Sequence, residues 1–354
     1  MPSSTSSFNV RIPPDIRYGW LWFLTGILFM LMIMLSEGLY RWQGHLPNVV
    51  DSKRLWAFHR ADVYSSAWKK RIVIAGSSRA QLGLVPSVIE NSFPHHAVKQ
   101  LTISGTPTFE VVRDLCEDPD FDGLIIWSAT ASALYPPEPY TNRDDHIYVQ
   151  FYHDEFRRGI SIDKNLESWL GAYLQSHLVT LSPYLTLKAI SEASYRPTPI
   201  YISMDFNRYQ SARYYSVMTK SERDEHRRKR IERRSAAHRV LDMGQFNESI
   251  KNDLTPLYRL LRSRGGELVL LRMPTTGEHW SMDNNSARKE FFWDQITELT
   301  DIPTIHFRDY PELMAFDCPD TSHLDATDAP EFTRRLSRIL KRKLEGEKLH
   351  PLGR

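Results

Sequence analysis

Apolar and polar positions give the chain stretches of distinct texture. Tyr18 to Ser36 (YGWLWFLTGILFMLMIMLS) holds no charged residue and is apolar all round. Its 19 residues predict a helix roughly 28 Å long, close to the hydrocarbon thickness of a bilayer. Trp20 and Trp22 stand near one end, and Tyr40 and Trp42 lie just past the other, where amphipathic rings anchor a span. A cleaved signal would have a shorter apolar core followed by small residues. Glu37-Gly38-Leu39-Tyr40 follows here, so a retained transmembrane anchor over 18–40 is expected. Arg11 and Arg17 before the span nearly balance Arg41, Lys53 and Arg54 after it, which leaves the orientation open.

From Arg71 the texture changes. Arg71-Ile-Val-Ile-Ala75, Ala97 to Ile103, Gly123-Leu-Ile-Ile-Trp127, Glu267 to Arg272 and Thr304 to Phe307 are short apolar, β-branched runs that predict buried strands. Helical patterns fall between them at Pro86–Ser92, Glu110–Leu115, Phe246–Arg264 and Ser286–Leu299, and an amphipathic helix follows at 330–344. Alternating strands and helices imply a parallel sheet with helices on both faces. The expected fold is α/β: a three-layer, flavodoxin-like α/β/α domain with five strands in the order 2-1-3-4-5. It is assembled from 71–134 and 246–345. Residues 1–17 read as a disordered tail, 41–70 as a connector, and 135–245, rich in Tyr, His and Arg, as an inserted subdomain of helix and loop.

Composition narrows the class. With 41% apolar residues and a net charge of +2, the chain has ample core, and its overall charge gives no argument for nucleic acid. The basic run Arg227-Arg-Lys-Arg230 with Arg233-Arg234 is interleaved with Glu222, Asp224, Glu225 and Glu232. It reads as a solvated helix face with i,i+4 pairs, ahead of a patch for an acidic polymer. Cys116 and Cys318 are either two buried thiols or a single bridge. His95-His96 lacks further ligands, so neither a metal nor any other cofactor is expected.

Candidate chemistry gathers at the carboxyl ends of the expected strands, where doubly wound sheets bind ligands. Gly76-Ser77-Ser78-Arg79 ends the first, Ser104-Gly105-Thr106 the second and Ser128-Ala129-Thr130 the third; Asp320-Thr-Ser-His323 follows the fifth. A serine at a strand-to-helix turn presents its hydroxyl to the crevice. A histidine supplies the base that the hydroxyl needs, and a carboxylate fixes the histidine tautomer. Each motif alone is weak. Their order along the sheet points to Ser78, His323 and Asp320 as a catalytic triad. Asp325 is a weaker alternative to Asp320. His279, which follows the fourth strand, could line the crevice but reads better as a surface loop histidine.

On these residues the chain resembles the SGNH/GDSL hydrolase superfamily, and most of all its divergent membrane-anchored members linked to bacterial polysaccharide O-acetylation and D-alanyl transfer. Gly76-Ser77-Ser78 within IVIAGSSRAQLGLVPSVIE matches the nucleophile block, Gly105 in TISGTPT the second block, and Asp320 and His323 in DTSHLD the fifth. The resemblance implies a serine carbohydrate esterase or O-acyltransferase working through an acyl-enzyme on Ser78. The oxyanion hole would come from the Ser78 and Gly105 amides with Ser128. An acylated glycan would be the substrate, and an integral membrane acyltransferase a candidate partner. The setting would be a single pass of the inner membrane, with the domain in the periplasm. A catalytically inactive assembly protein is the rival reading. It draws on one departure: the third block normally supplies an asparagine, and this chain has Ser128-Ala129-Thr130. Losing one such donor costs about 3 kcal/mol of transition-state stabilisation.

Overall fold

β1 (Lys70–Gly76) shows how the architecture arises. Ile72 and Ile74 enter one apolar cluster and Val73 and Ala75 another, and all four are fully buried. Successive strand side chains point to opposite faces, so a strand apolar at every position must be covered twice. β2 (His96–Gln100), β3 (Leu124–Ser128), β6 (Glu267–Arg272) and β7 (Thr304–His306) join β1 in one parallel sheet, in the order β2-β1-β3-β6-β7. This is the expected 2-1-3-4-5 order. The computed structural model describes residues 18–66, 68–134, 143–185, 199–236 and 240–348. The expected tail 1–17 lies outside them, as do parts of the expected insertion.

Helices form the two outer layers. α2 (Lys53–Ala61), α5 (Phe109–Glu117) and the helices Thr255–Ser263 and Trp293–Leu299 bury Trp56, Leu115, Leu261 and Ile296 on one face. α3 (Ser78–Gly83), α4 (Pro86–Ser92) and the final helix Ala329–Lys348 bury Ala80, Ile89, Phe332 and Leu336 on the other. Between β3 and β6 lie further helices and a small antiparallel pair, β4 (Ile202–Met204) and β5 (Gln210–Ala212). α1 (Tyr18–Trp42) has a mean hydropathy of 2.0 and no buried residue, and it is long and apolar enough to cross a membrane. Glu37 near its end accepts the Val179 and Thr180 amides, which ties the helix to the domain.

Three expectations need correction. Cys116 and Cys318 are free thiols. Cys116 belongs to the cluster on one face of the sheet and Cys318 to the cluster on the other, so the sheet itself separates them. The helix expected at 286–299 is a helix only over Trp293–Leu299; Ser286 instead ends an unexpected helix, Gly277–Ser286, after which the chain turns extended at Ala287. The helix expected at 246–264 is likewise interrupted, by a π-helical turn at Ile250–Leu254.

Candidate active site

Gly76 ends β1 opposite Ser128 of β3. Its φ is +134°, and a Cβ there would sit 2.8 Å from the Ser128 carbonyl oxygen. Only glycine lets the chain leave the sheet so close to its neighbour. Ser77 caps α3 with extended backbone, and Ser78 is the first residue of that helix. The hydroxyl therefore emerges at the carboxyl edge of the sheet.

The partners come from the loop before the final helix. Thr321 adopts left-handed backbone (φ +72°), a conformation that is strained for a β-branched residue. That turn folds the Asp320 carboxylate back onto its own loop. Oδ1 accepts the Ser322 amide at 3.0 Å and the His323 amide at 2.8 Å. Oδ2 lies 2.8 Å from His323 Nδ1, and His323 Nε2 lies 2.8 Å from Ser78 Oγ. The structure thus brings Ser78, His323 and Asp320 into one hydrogen-bonded chain. Asp325 is elsewhere engaged: it accepts the Thr327 amide and hydroxyl and the Tyr215 amide, ahead of the final helix.

Electrostatics assign protonation states. Burial alone would raise the Asp320 pKa. The His323 ring, the Arg230 guanidinium and the Ser322 N–H outweigh it and hold the carboxyl well below the usual range. Burial, aided by the charges of Arg230 and Arg79, lowers His323 despite the attraction of Asp320. His323 is therefore neutral at pH 7. With its Nδ1–H donated to Asp320, Nε2 is left to accept the Ser78 proton.

Ser78, Gly105 and Ser128 line one cavity of about 470 Å³. Gly105 has φ +80° and open space where a side chain would be. Among the described residues, neither the Ser78 amide nor the Gly105 amide donates to a protein acceptor. An adjoining cavity of about 260 Å³ is walled by Trp280, Phe292 and Trp293. No cluster of three metal-ligating side chains occurs among the described residues.

Much of the wall was not legible as part of the site. The Lys220–Ala236 helix does carry solvated pairs, Arg228 with Glu225 and Glu232. Its other side covers the cavity: Arg230 Nε reaches Asp320 Oδ2 at 2.8 Å and Arg234 pairs with Asp283. Tyr214 donates its hydroxyl to the same Asp320 oxygen at 2.9 Å. His279 is not a surface loop residue. It sits buried at the start of the Gly277–Ser286 helix and accepts from Arg79 Nη2 at 2.9 Å. Burial and the charge of Arg79 hold it neutral, with a pKa of about 3. Arg79 also donates to the Ser322 hydroxyl, linking the residue after Ser78 to the Asp320–His323 loop.

No protein-family model matches the chain, and no curated protein does. Among solved structures it is similar to the crystal structure of TesA, at 9% identity and a TM-score of 0.36, over 77% of this chain and 98% of the TesA chain. At that identity and score, the likeness fixes neither family nor activity.

Proposed function

We propose that this chain is a serine esterase or O-acyltransferase of the SGNH type, acting on an acylated glycan of the cell envelope from a membrane tether. One observation carries the reading: the unbroken chain from Ser78 Oγ through His323 to Asp320, with 2.8 Å at each link, opening into a cavity. Ser78 Oγ attacks the acyl carbonyl as His323 Nε2 takes its proton. The oxyanion is met by the Ser78 and Gly105 amides and Ser128. The imidazolium, stabilised by Asp320, returns the proton to the departing alkoxide and leaves an ester on Ser78. Water or a glycan hydroxyl then attacks that ester with His323 again as base. Water gives hydrolysis, and the glycan hydroxyl gives transfer.

The glycan and the periplasmic setting draw on the sequence resemblance and on α1, which is long and apolar enough to cross a membrane. An integral membrane acyltransferase would be the partner that loads or receives the acyl group. Labelling by a fluorophosphonate probe tests the nucleophile. Wild-type protein should label, Ser78→Ala should not, and His323→Ala should label weakly. Equal labelling of all three refutes the reading. The rival, a binding protein without turnover, is favoured by the Ser128-Ala129-Thr130 strand end where an asparagine donor was expected. Envelope acylation undiminished in a Ser78→Ala strain would select it.

A further inference from the structure

The cavity beside Ser78 is far more basic than the chain. Net charge over 354 residues is +2. Yet Arg79 and Arg272 line the cavity from the sheet side, and Lys229, Arg230, Arg233 and Arg234 line it from the Lys220–Ala236 helix. Those four, with His226, recur three and four positions apart, which puts them on one helical face.

Carboxylates answer only part of this charge. Asp283 takes Arg272 at 2.6 Å and Arg234 at 2.8 Å, with Arg79 at 3.7 Å. Asp320 takes Arg230. Lys229 pairs with Glu225 one turn earlier on its own helix, and Glu225 is shared with Arg228. Even with Glu225 assigned wholly to Lys229, six cationic side chains face three carboxylates. Burial keeps His226 and His279 in their neutral forms. Among the described residues Arg233 has no ion-pair partner. The pairs Arg230–Asp320 and Arg234–Asp283 already hold the helix against the loop and against the Gly277–Ser286 helix. Lys229 and Arg233 are exposed and are not needed for that docking.

We propose that Lys229 and Arg233 form an oxyanion subsite, so that the substrate of this site carries a carboxylate, phosphate or sulfate close to its scissile ester. The proposal rests on the esterase reading of the same cavity. A concave, one-signed wall concentrates counter-ions and steers charged ligands. A guanidinium fork matches planar carboxylates and phosphates with two parallel hydrogen bonds, and a lysine adds a point charge. The subsite stands one side chain from the reaction: Arg230, adjacent to Lys229, touches the carboxylate that orients His323. An anionic substrate would therefore be anchored with its ester near Ser78.

The test uses full-length protein in a neutral detergent with three acetate esters: phenyl acetate, 4-acetoxybenzoate and 4-acetoxyphenyl phosphate. Each kcat/KM is divided by the ester's rate of alkaline hydrolysis, and the anionic-to-neutral ratio is read. Wild-type protein should favour at least one anion by about tenfold or more at low salt, a factor equal to ~1.4 kcal/mol. The Lys229→Gln/Arg233→Gln variant should lose most of that ratio, and 0.5 M NaCl should reduce it in wild type. The two anionic esters separate a carboxylate source from a phosphate source. A wild-type ratio near one, or a ratio unchanged in the variant, overturns the subsite. If no ester is turned over, the esterase reading fails separately. Calorimetry with inorganic phosphate and Ser78→Ala protein then decides the subsite. Binding that weakens about tenfold when Lys229→Gln and Arg233→Gln are added sustains it, and no binding overturns it.

Discussion

Replacing Asp320 by asparagine separates a catalytic carboxylate from a structural one. Oδ2 takes two hydrogen-bond donors, His323 Nδ1 at 2.8 Å and the Tyr214 hydroxyl at 2.9 Å, and forms an ion pair with Arg230 Nε at 2.8 Å. Oδ1 takes the amides of Ser322 and His323. Every partner donates, so the asparagine NH₂ faces donors in either orientation. If it replaces Oδ1, two backbone N–H groups lose their acceptor. If it replaces Oδ2, it donates to His323 Nδ1. The ring proton then moves to Nε2, and Ser78 loses its base. Either way the imidazolium formed in the reaction has no anion beside it, which in a serine triad costs about 10⁴ in rate. Each buried donor left unpaired costs about 1–3 kcal/mol, and the half-buried Arg230 charge without its partner adds to this. The expected variant labels with a fluorophosphonate about 10⁴-fold more slowly than wild type, and is less stable to guanidinium by roughly 2–5 kcal/mol. Rates come from gel-resolved labelling at several probe concentrations, with unfolding followed on the same samples. A variant that unfolds cooperatively and labels within about tenfold of wild type would show that Asp320 only caps its loop.

The same structure sets three further outcomes. Because burial and two nearby arginines lower the His323 pKa beneath its ordinary 6.5, labelling should be flat above pH 7 and fall only as the ring protonates; a midpoint above 6.5 contradicts this. His59 donates Nε2–H to the Phe206 carbonyl at 2.8 Å, and burial, then the charge of Arg208, hold its pKa at about 4. The unfolded chain takes up that proton first as pH falls below 6.5, so the contribution is intact above 6.5 and is lost towards pH 4. Between pH 7 and 5 that loss is about 2 kcal/mol. His59→Gln should flatten the pH dependence of unfolding by that amount, and an unchanged slope counts against it. Gly76→Ala puts a Cβ 2.8 Å from the Ser128 carbonyl oxygen at φ +134°, so β1 and β3 must separate at the nucleophile. Labelling and thermal stability should both fall, and a variant with wild-type values in both would refute the close approach.

The sheet was legible because its strands are buried twice. A strand such as Ile72-Val73-Ile74-Ala75 or Leu124-Ile125-Ile126-Trp127 has no polar side, and such runs separated by helical periods admit few topologies. The second strand was read as reaching Ile103, but it ends at Gln100. Leu101 and Ile103 are still bonded to Ile74 and Gly76 along the same edge, so an apolar run outlasted its regular ladder. The Gly277–Ser286 helix was missed because GEHWSMDNNS has little apolar periodicity and two asparagines. Its placement depends instead on Asp283, which three arginines from different segments surround. With that segment read as loop, a surface position for His279 outweighed one lining the crevice.

The hydrogen bonds to Asp320 mark where sequence reasoning ends. Three come from within three positions: the Ser322 amide, the His323 amide and His323 Nδ1. An Asp-x-x-His turn implies them, because a single left-handed residue is enough to close it. The fourth comes from Tyr214, 106 positions away, and the ion pair beside them from Arg230 on the helix that covers the cavity. No local pattern could announce either one, and the charge run that contains Arg230 has enough interleaved glutamates to satisfy itself in solution. A signal was present but weak: His226, Lys229, Arg230, Arg233 and Arg234 share one helical face, while Glu225 and Glu232 pair with Arg228, and of the basic face only Lys229 reaches one of these glutamates. A basic face of this kind is balanced by carboxylates from elsewhere in the fold or by counter-ions from solvent. Within the molecule Asp320 and Asp283 do so in part. The local turn fixes His323 against Asp320, and the distant wall sets the charge around them. The Asp-x-x-His arrangement could therefore be read from a four-residue motif, whereas the charge of its surroundings had to wait for the fold.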